Sequence, residues 1–524
     1  MASESSSSVG LEPRLIRNHE DGGLWGRIDQ ISERASRWLN PILIKEARQS
    51  LKSRQFTTTF FFLLLASLFW MVIGVSISAP DIYYVPAGVT MLSGYYFLLA
   101  LPMMAIVPVA AYRSLAAEIE DGTFELLVIT NLSSLRIVTG KLGSAILQMM
   151  VYFAVLVPCL AFCYLLRGID VLMITTTLVL VVSLSLLLTT IALFLATIAP
   201  TKASQLLSLF CLLGLIFFSE VIAASYVFAE LLQRGIDLSG ETVMFVVLIA
   251  AVGVSLMFLF VKAAAARIGT VTENRSTSLR WIMLAQQHIW IGGLATVALW
   301  YEDRYVVMFA AMILTGYWIV MGTLMLGESV EMSPRVLRAL PKTTLTRMLL
   351  LWLYPGPGTG YVFAIATGCT GLLALGIFAV TIDSEMLSSL FCLLMIGYLT
   401  FYLSAVRLIV MPLSRHIGGS FALPIGMMMV LLISGVAGPT IVMALVTGAP
   451  SSSYALQEAT NWMWSIVHCF SDSVIEPLVV VFMLGLGGCL MLLNLMLLFR
   501  EFAYRPVVTP ERVMRDEAEK NESH

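Results

Sequence analysis

The sequence predicts an all-α protein, a polytopic transmembrane helical bundle of about twelve spans. Of its 524 residues, 59% are hydrophobic and 12% are charged, and the mean hydropathy is +0.89, whereas a soluble domain is roughly 25% charged. The apolar residues form continuous runs, unlike the alternation typical of a membrane β-barrel. Because about 20 apolar residues in a helix cross the hydrocarbon core and satisfy their own backbone hydrogen bonds, these runs predict spanning helices.

The apolar runs divide the chain into twelve predicted spans. The seventh is the weakest, since Gln286, Gln287 and His288 lie near one end of it, and its alternative is a helix lying along the membrane surface. The predicted spans cover residues 57–78, 89–112, 142–166, 171–198, 204–228, 243–261, 282–300, 305–326, 361–382, 386–410, 421–446 and 474–499.

The distribution of Lys and Arg predicts the orientation of the bundle. With the N-terminus inside, 28 of the 31 basic residues fall in inner segments, and only Arg167, Arg234 and Arg304 fall in outer ones. Basic residues stay on the cytoplasmic side because anionic lipid and the membrane potential favour them there. We therefore expect a multi-pass protein of the cell (cytoplasmic) membrane with both termini in the cytoplasm.

The spans and polar segments predict the order of regions along the chain. No short apolar run lies near Met1, so the first span itself is expected to serve as the targeting signal. The predicted regions are a cytoplasmic tail (1–39), an amphipathic connecting helix (40–56), a first six-span half (57–262) with a cytoplasmic loop (113–141), a cytoplasmic linker (263–281), a second six-span half (282–499) and a cytoplasmic C-terminal tail (500–524).

The polar segment before the first span predicts a short basic amphipathic helix. Asn40 is a suitable N-cap, and Pro41 suits the first helical position. Such a helix is expected to lie in the inner headgroup layer; a simple positively charged anchor for the first span is the alternative. Helical spacing puts Ile44, Ala47 and Leu51 on an apolar face, and Lys45, Arg48 and Lys52 on a basic face.

The loop 113–141 is too polar for lipid and contains its own helix signals. Residues 114–121 predict a short helix that ends at Gly122, and Thr123 can cap a second helix with Glu125 in its first turn. That second helix carries an apolar stretch too short to span, which must pack against the bundle or a partner. An ordinary cytoplasmic loop is the alternative interpretation.

Two motifs give this chain a resemblance to a known family. The loop contains the pattern E-x-E-x-G-T-x-E-x-L and resembles the loop of type-2 ATP-binding-cassette (ABC) exporter permeases, while NPILIKEARQSLKSR resembles the connecting helix of that family. The resemblance covers roughly residues 40–261, and Asn131 departs from the Pro that members often have there. The motif residues are Glu118, Glu120, Gly122, Thr123, Glu125 and Leu127, followed by Thr130, Leu132, Ser133, Gly140 and Lys141.

The resemblance implies that residues 118–129 form a coupling helix that docks on a separate ABC ATPase subunit. ATP would then bind to the partner and no cofactor to this chain, which lacks the G-x-x-x-x-G-K-[ST] phosphate loop. No acid pair, Ser-His-Asp set or metal-ligand spacing predicts an enzyme. The implied docking residues are Glu118, Glu120, Gly122, Thr123, Glu125, Leu126 and Leu127, and the implied connecting-helix residues are Pro41, Lys45, Glu46 and Arg48.

The second half repeats the order of spans and loops seen in the first. Two six-span halves in one chain would suit a fused transmembrane unit, although residues 328–347 lack the E-x-E-x-G-T-x-E signature. A homodimer of the whole chain is the alternative. Membrane lipid is the other expected partner, and a net charge of -2 gives no indication of nucleic-acid binding.

Glu220 is the carboxylate predicted to lie deepest in a span, in the outer third of the membrane. It could line a transport pathway or mark a break before an outer helix over 221–230, and a carboxylate at headgroup level is the alternative. A gradient-driven secondary transporter, which would need broken helices and charges at mid-membrane, and a non-transporting scaffold are the competing functions. The apolar spans leave the substrate undefined.

Overall fold

The computed structural model of the protein describes residues 40–81, 84–121, 133–199, 201–235, 239–269, 274–328, 350–382, 386–417, 421–448, 456–471 and 474–503. Within these ranges the regular structure is helical and contains no strand. Among the helices of these described ranges, twelve are long and apolar enough to cross a membrane. The predicted all-α bundle of twelve spans is therefore confirmed, and the protein is a multi-pass membrane protein.

Fourteen helices make up the described bundle, and all except α1 and α13 are candidate spans. We call the end of a span that the sequence predicts to be cytoplasmic its inner end. The helices are α1 (Pro41–Leu51), α2 (Arg54–Ser78), α3 (Gly88–Glu120), α4 (Ser134–Leu165), α5 (Val171–Thr197), α6 (Lys202–Leu231), α7 (Gly240–Ile268), α8 (Thr277–Tyr301), α9 (Arg304–Leu326), α10 (Pro357–Ala379), α11 (Leu387–Ile417), α12 (Ala422–Thr447), α13 (Trp462–Ser471) and α14 (Pro477–Ala503).

Polar caps start several of these helices. The Asn40 side chain accepts a hydrogen bond from the Ile42 backbone N–H, with Pro41 in the first turn, as the sequence predicts. Thr201 and Ser204 form a reciprocal capping box at the inner end of α6. These side chains satisfy backbone N–H groups that have no partner within the helix.

The second spanning helix extends further inward than its apolar run. Residues 114–121, which the sequence predicts as a separate short helix, continue α3 without interruption as far as Glu120. The reason is local, because no Gly or Pro interrupts the chain between Pro108 and Gly122. α3 contains a π-helical segment over Leu101–Ile106, at Pro102.

The two groups of six spans share the same neighbour relations. In each group the fourth helix, α5 or α11, packs against the second, third, fifth and sixth helices of its own group. Its side chains are accordingly among the most buried, including Val181 in α5 and Leu399 in α11. The internal repeat stays a prediction, and this shared packing supports it.

The weakest predicted span, α8, packs into the bundle through its glutamines. Gln287 donates from Nε2 to the Thr367 carbonyl at 2.9 Å and accepts from the Trp318 indole at 2.6 Å. Gln286 accepts from the Tyr317 hydroxyl at 2.9 Å. A surface helix would leave these amides to water, whereas here both are buried against α9 and α10, with Gln287 hydrogen-bonded through both of its polar atoms and Gln286 through its oxygen.

The connection between α12 and α14 enters the bundle. The Trp462 indole at the start of α13 donates to the Leu432 carbonyl of α12 at 3.1 Å, and the Tyr402 hydroxyl of α11 donates to the Thr460 carbonyl at 3.0 Å. Leu432 and Tyr402 each lie about 22 Å along the axis from the outer end of their helix, at 1.5 Å per residue. The start of α13 is therefore deep in the bundle.

The other end of α13 lies near the outer ends of the spans. The Phe470 ring stacks on Tyr305, in the first turn of α9, at 5.9 Å between centroids. α13 is thus a re-entrant helix, in the segment that the sequence leaves as a connection between the predicted spans 421–446 and 474–499. Irregular backbone at this depth is tolerated because protein surrounds it, and Glu458 beside it is fully buried and accepts from Asn461 at 3.3 Å.

The orientation of the bundle is testable at the two ends of α6. Ala203 at the inner end and Gln233 just beyond the outer end are both exposed. A Cys at Gln233 should react with a membrane-impermeant maleimide in intact cells, whereas a Cys at Ala203 should react only after permeabilisation. The unmodified protein supplies the background from native cysteines. The reverse pattern of labelling would contradict the predicted topology.

Candidate functional site

A buried ionic junction joins three segments on the inner side of the first half. The Lys141 Nζ lies 3.0 Å from Glu118 Oε2 at the end of α3 and 3.2 Å from Glu46 Oε2 of α1, and it donates to Ser114 Oγ at 3.0 Å. Only 3% of Lys141 is exposed. We call Lys141, Glu46, Glu118 and Ser114 the Lys141 junction. One ammonium group thus holds together the connecting helix and the spans on both sides of the loop.

Helix α1 reaches the junction because small residues line the facing side of α4. A Cβ at Gly140 would lie 2.9 Å from the Ile42 side chain, and one at Gly143 would lie 2.8 Å from Leu43. The Asn40 amide also donates to the Arg136 carbonyl of α4. α1 is therefore docked along the inner end of α4.

The buried face of α1 differs from the predicted one. The fully buried side chains are Ile42 and the carboxylate Glu46, while the predicted apolar face, Ile44, Ala47 and Leu51, is only half-buried. Residue spacing shows which residues share a face, but the partner that makes burial of Glu46 tolerable lies about 95 positions away, at Lys141. Sequence reasoning therefore did not predict that Glu46 is buried or that it pairs with Lys141.

The remaining predicted residues of α1 and α3 lie at the edge of the junction. Lys45 is 57% exposed at its side chain and lies 3.7 Å from Glu118 and 3.8 Å from Glu46. Pro41 and Arg48 are exposed. Glu120 pairs with the exposed Lys202 at 3.5 Å, a surface contact of the kind that contributes little to stability.

The structure describes two of the seven predicted docking residues. Glu118 and Glu120 lie on α3, as described above. Five others lie outside the described residues and stay predictions from the sequence: Gly122, Thr123, Glu125, Leu126 and Leu127. The loop containing them begins directly after the last turn of α3 and leads into α4. The Lys141 junction therefore joins the two helices that flank the loop, through Glu118 in the last turn of α3 and Lys141 about two turns into α4.

A second buried junction occupies the matching place in the second half. Arg280, near the start of α8, has no exposed surface, and its Nη2 lies 2.8 Å from Glu328 Oε2 just after α9. Its Nη1 donates to the carbonyls of Trp352 at 2.7 Å and Tyr354 at 2.5 Å, ahead of α10. Glu328 also accepts from the Gly356 N–H at 2.7 Å. We call this the Arg280 junction.

The two junctions connect corresponding segments. Each contains a cation and involves the end of the second span of its half. The Lys141 junction joins this end to the connecting helix and the third span, and the Arg280 junction joins it to the first span and the approach to the third. In the first half the cation is Lys141 on the third span, and in the second half it is Arg280 on the first span. The fork of a guanidinium reaches several carbonyls at once, so the second junction ties backbone as well as side chains.

Glu220 lies on an uninterrupted part of α6, so the predicted break at this residue is wrong. The helix continues through a π-helical segment, Tyr226–Leu231, because no Gly or Pro occurs between Glu220 and Gly235, where φ is 77°. The half-buried Glu220 carboxyl faces the Tyr96 hydroxyl of α3. The Tyr96 hydroxyl and Glu220 Oε2 are both buried, and neither forms a hydrogen bond within the described residues.

Comparison with known proteins adds no family assignment: no family model, no curated protein and no solved structure matches this chain. Among the described residues, no group of three or more His, Cys, Asp or Glu side chains is arranged to hold a metal ion. The candidate site is therefore defined by its own geometry, which is that of two ionic junctions at the inner side of the bundle.

Proposed function

We propose that this protein is the permease subunit of an ABC transporter, an exporter, driven by ATP hydrolysis on a separate ATPase subunit that docks on residues 118–129. The observation that carries the proposal is the Lys141 junction, which ties the connecting helix and both flanking spans to the ends of that loop. The resemblance of the loop and of the connecting helix to those of type-2 exporter permeases supports it. The membrane would be the cytoplasmic one, with both termini inside.

The proposed mechanism is mechanical. A movement of the ATPase subunit would push the loop, and the loop would move α3 and α4 together because Lys141 bridges them. Packed helices respond to such a push as rigid bodies and not by bending continuously. The first-half spans would then tilt relative to the second half, opening a path for the substrate to alternate sides of the membrane. Either a fused pair of halves or a homodimer of the chain would satisfy this mechanism.

The docking step is testable without knowing the substrate. Gly122→Pro or Glu125→Lys should abolish co-purification of the ATPase subunit, because Pro removes the predicted αL turn and Lys reverses the charge in the first turn of the predicted second helix. The variant protein should remain in the membrane at its normal level. Arg136→Gln, an exposed change on α4 outside residues 118–129, is the matched control and should leave co-purification intact. Normal binding by both loop variants would contradict the docking proposal.

A gradient-driven secondary transporter is the second candidate function. The buried Glu458 next to the re-entrant helix α13 and the Glu220–Tyr96 pair favour it, since broken or re-entrant elements with carboxylates are typical of ion-coupled sites. Export that continues with ATP depleted and an ion gradient present would support this candidate against the ABC transporter. If the protein were a non-transporting scaffold, it would move a substrate neither with ATP nor with an ion gradient.

A further inference from the structure

A cavity of about 300 Å³ opens beside the Lys141 junction, between α1 and the inner parts of α2, α3 and α4. Its lining includes Arg113 and Lys141 at one end and Phe56 and Tyr152 at the other. The mechanism proposed above makes no use of this space.

Along the membrane normal, the charged residues of the lining lie at its inner end and the aromatic residues lie further in, while polar side chains such as Gln148 also line the cavity. On α3, Ile106 lies about 10 Å further into the bundle than Arg113, and on α4, Tyr152 lies about 16 Å further in than Lys141, at 1.5 Å per residue. The two helices run in opposite directions, yet both put their charges at the inner end of the cavity. At its deep end the rings of Phe56 and Tyr152 lie 5.2 Å apart.

The charges at the inner end leave one cation available to a ligand. The carboxylates of Glu46 and Glu118 are both paired with Lys141. Arg113 lines the same cavity, is exposed, and forms no ion pair with a described residue. A guanidinium binds phosphate oxygens in a bidentate manner, so the inner end of the cavity suits a phosphate group.

We propose that this cavity binds the headgroup of an inner-leaflet phospholipid, with Arg113 holding the phosphate and the first carbons of the chains resting toward Phe56 and Tyr152. Its volume is at the lower end of the range for ligand sites, so it accepts a headgroup and not whole chains. The chains would continue over the exposed aromatic face of α2, which includes Phe61 and Phe62. Basic pockets at the cytoplasmic ends of spans recognise lipid headgroups in this way.

Native mass spectrometry of the delipidated full-length protein tests the proposal with added phosphatidylglycerol. Arg113→Gln should weaken binding of the first lipid about tenfold or more, since a hydrogen bond to a charged group contributes about 1.5–3 kcal/mol. Arg136→Gln is the matched control, because Arg136 is an exposed cation on α4 outside the cavity, and it should change the affinity less than about twofold. Diacylglycerol, which lacks a phosphate, should not compete.

A second variant distinguishes lipid binding inside the cavity from attraction of lipid by surface charge. Ala111→Leu adds apolar volume to the cavity wall without changing charge and should also reduce binding of the first lipid. Free glycerol phosphate at the same concentration should not displace the lipid, because it has no chains. Displacement by glycerol phosphate, equal loss in Arg136→Gln, or unchanged binding in both cavity variants would each overturn the proposal. None of these outcomes depends on an ATPase subunit.

Discussion

Lys141→Met should destabilise the protein by about 3–5 kcal/mol, the usual range when one member of a buried ionic cluster is removed. The substitution keeps the length and apolar stem of the side chain but leaves Glu46 and Glu118 without the ammonium that lies within 3.2 Å of both. Thermal unfolding in detergent should show a lower Tm. Hydrogen exchange should rise over α1, because Glu46 is the buried charge that attaches this helix to the bundle.

The triple variant Glu46→Gln/Glu118→Gln/Lys141→Met separates loss of charge pairing from loss of packing. Removing all three charges removes the repulsion between the two carboxylates, so this variant should recover much of the stability that Lys141→Met loses. Lys202→Met is the surface control and should cost under about 1 kcal/mol, since its pair with Glu120 is exposed. If Lys141→Met unfolded at the same temperature as the unmodified protein, the junction would have no structural role.

Arg280→Met should be at least as damaging, at about 3–5 kcal/mol. The guanidinium is fully buried, and its removal takes a donor away from the Trp352 and Tyr354 carbonyls, the second of which keeps its hydrogen bond from the Thr359 hydroxyl. It also leaves Glu328 without its cation. Expression level and Tm in detergent should both fall. The approach to α10 should lose protection from hydrogen exchange first, because Arg280 binds two of its carbonyls and also pairs with Glu328, which accepts from the Gly356 N–H.

Arg280→Lys distinguishes the contribution of the positive charge to stability from that of the several N–H donors of the guanidinium. Lysine can still pair with Glu328, but a single ammonium does not reproduce the geometry of the guanidinium, so this variant should lie between the unmodified protein and Arg280→Met. Arg136→Met, an exposed arginine on α4, should leave Tm unchanged. Equal stability of Arg280→Lys and the unmodified protein would mean that the backbone contacts contribute nothing.

Much of the fold could be predicted because spanning helices are determined locally. Each needs only a run of apolar residues of sufficient length, and twelve such runs became twelve candidate spans, the weak α8 included. Helix ends were predicted less well. α3 continues as far as Glu120, where the sequence predicts a separate helix over 114–121, because no Gly or Pro interrupts the chain between Pro108 and Gly122.

The candidate site could be predicted only in part. The connecting helix and the cap at Asn40 follow from spacing and residue type, and the loop was identified by its motif. The ion pair between Glu46 and Lys141 joins residues far apart in the chain, and so does that between Arg280 and Glu328. No periodicity relates such partners. Sequence analysis therefore assigned Glu46 to a helix without finding what it binds.

Composition and the length of the apolar runs determined by themselves that this chain is a helical membrane protein. A helix is stable in a bilayer when its side chains are apolar and its backbone hydrogen bonds are satisfied internally. The tertiary structure alone decided where the buried charges lie, how α13 returns into the bundle and which cavity Arg113 lines. Those features depend on partners brought together by packing. A buried charge is stable only when distant parts of the chain supply its counter-charge and hydrogen bonds.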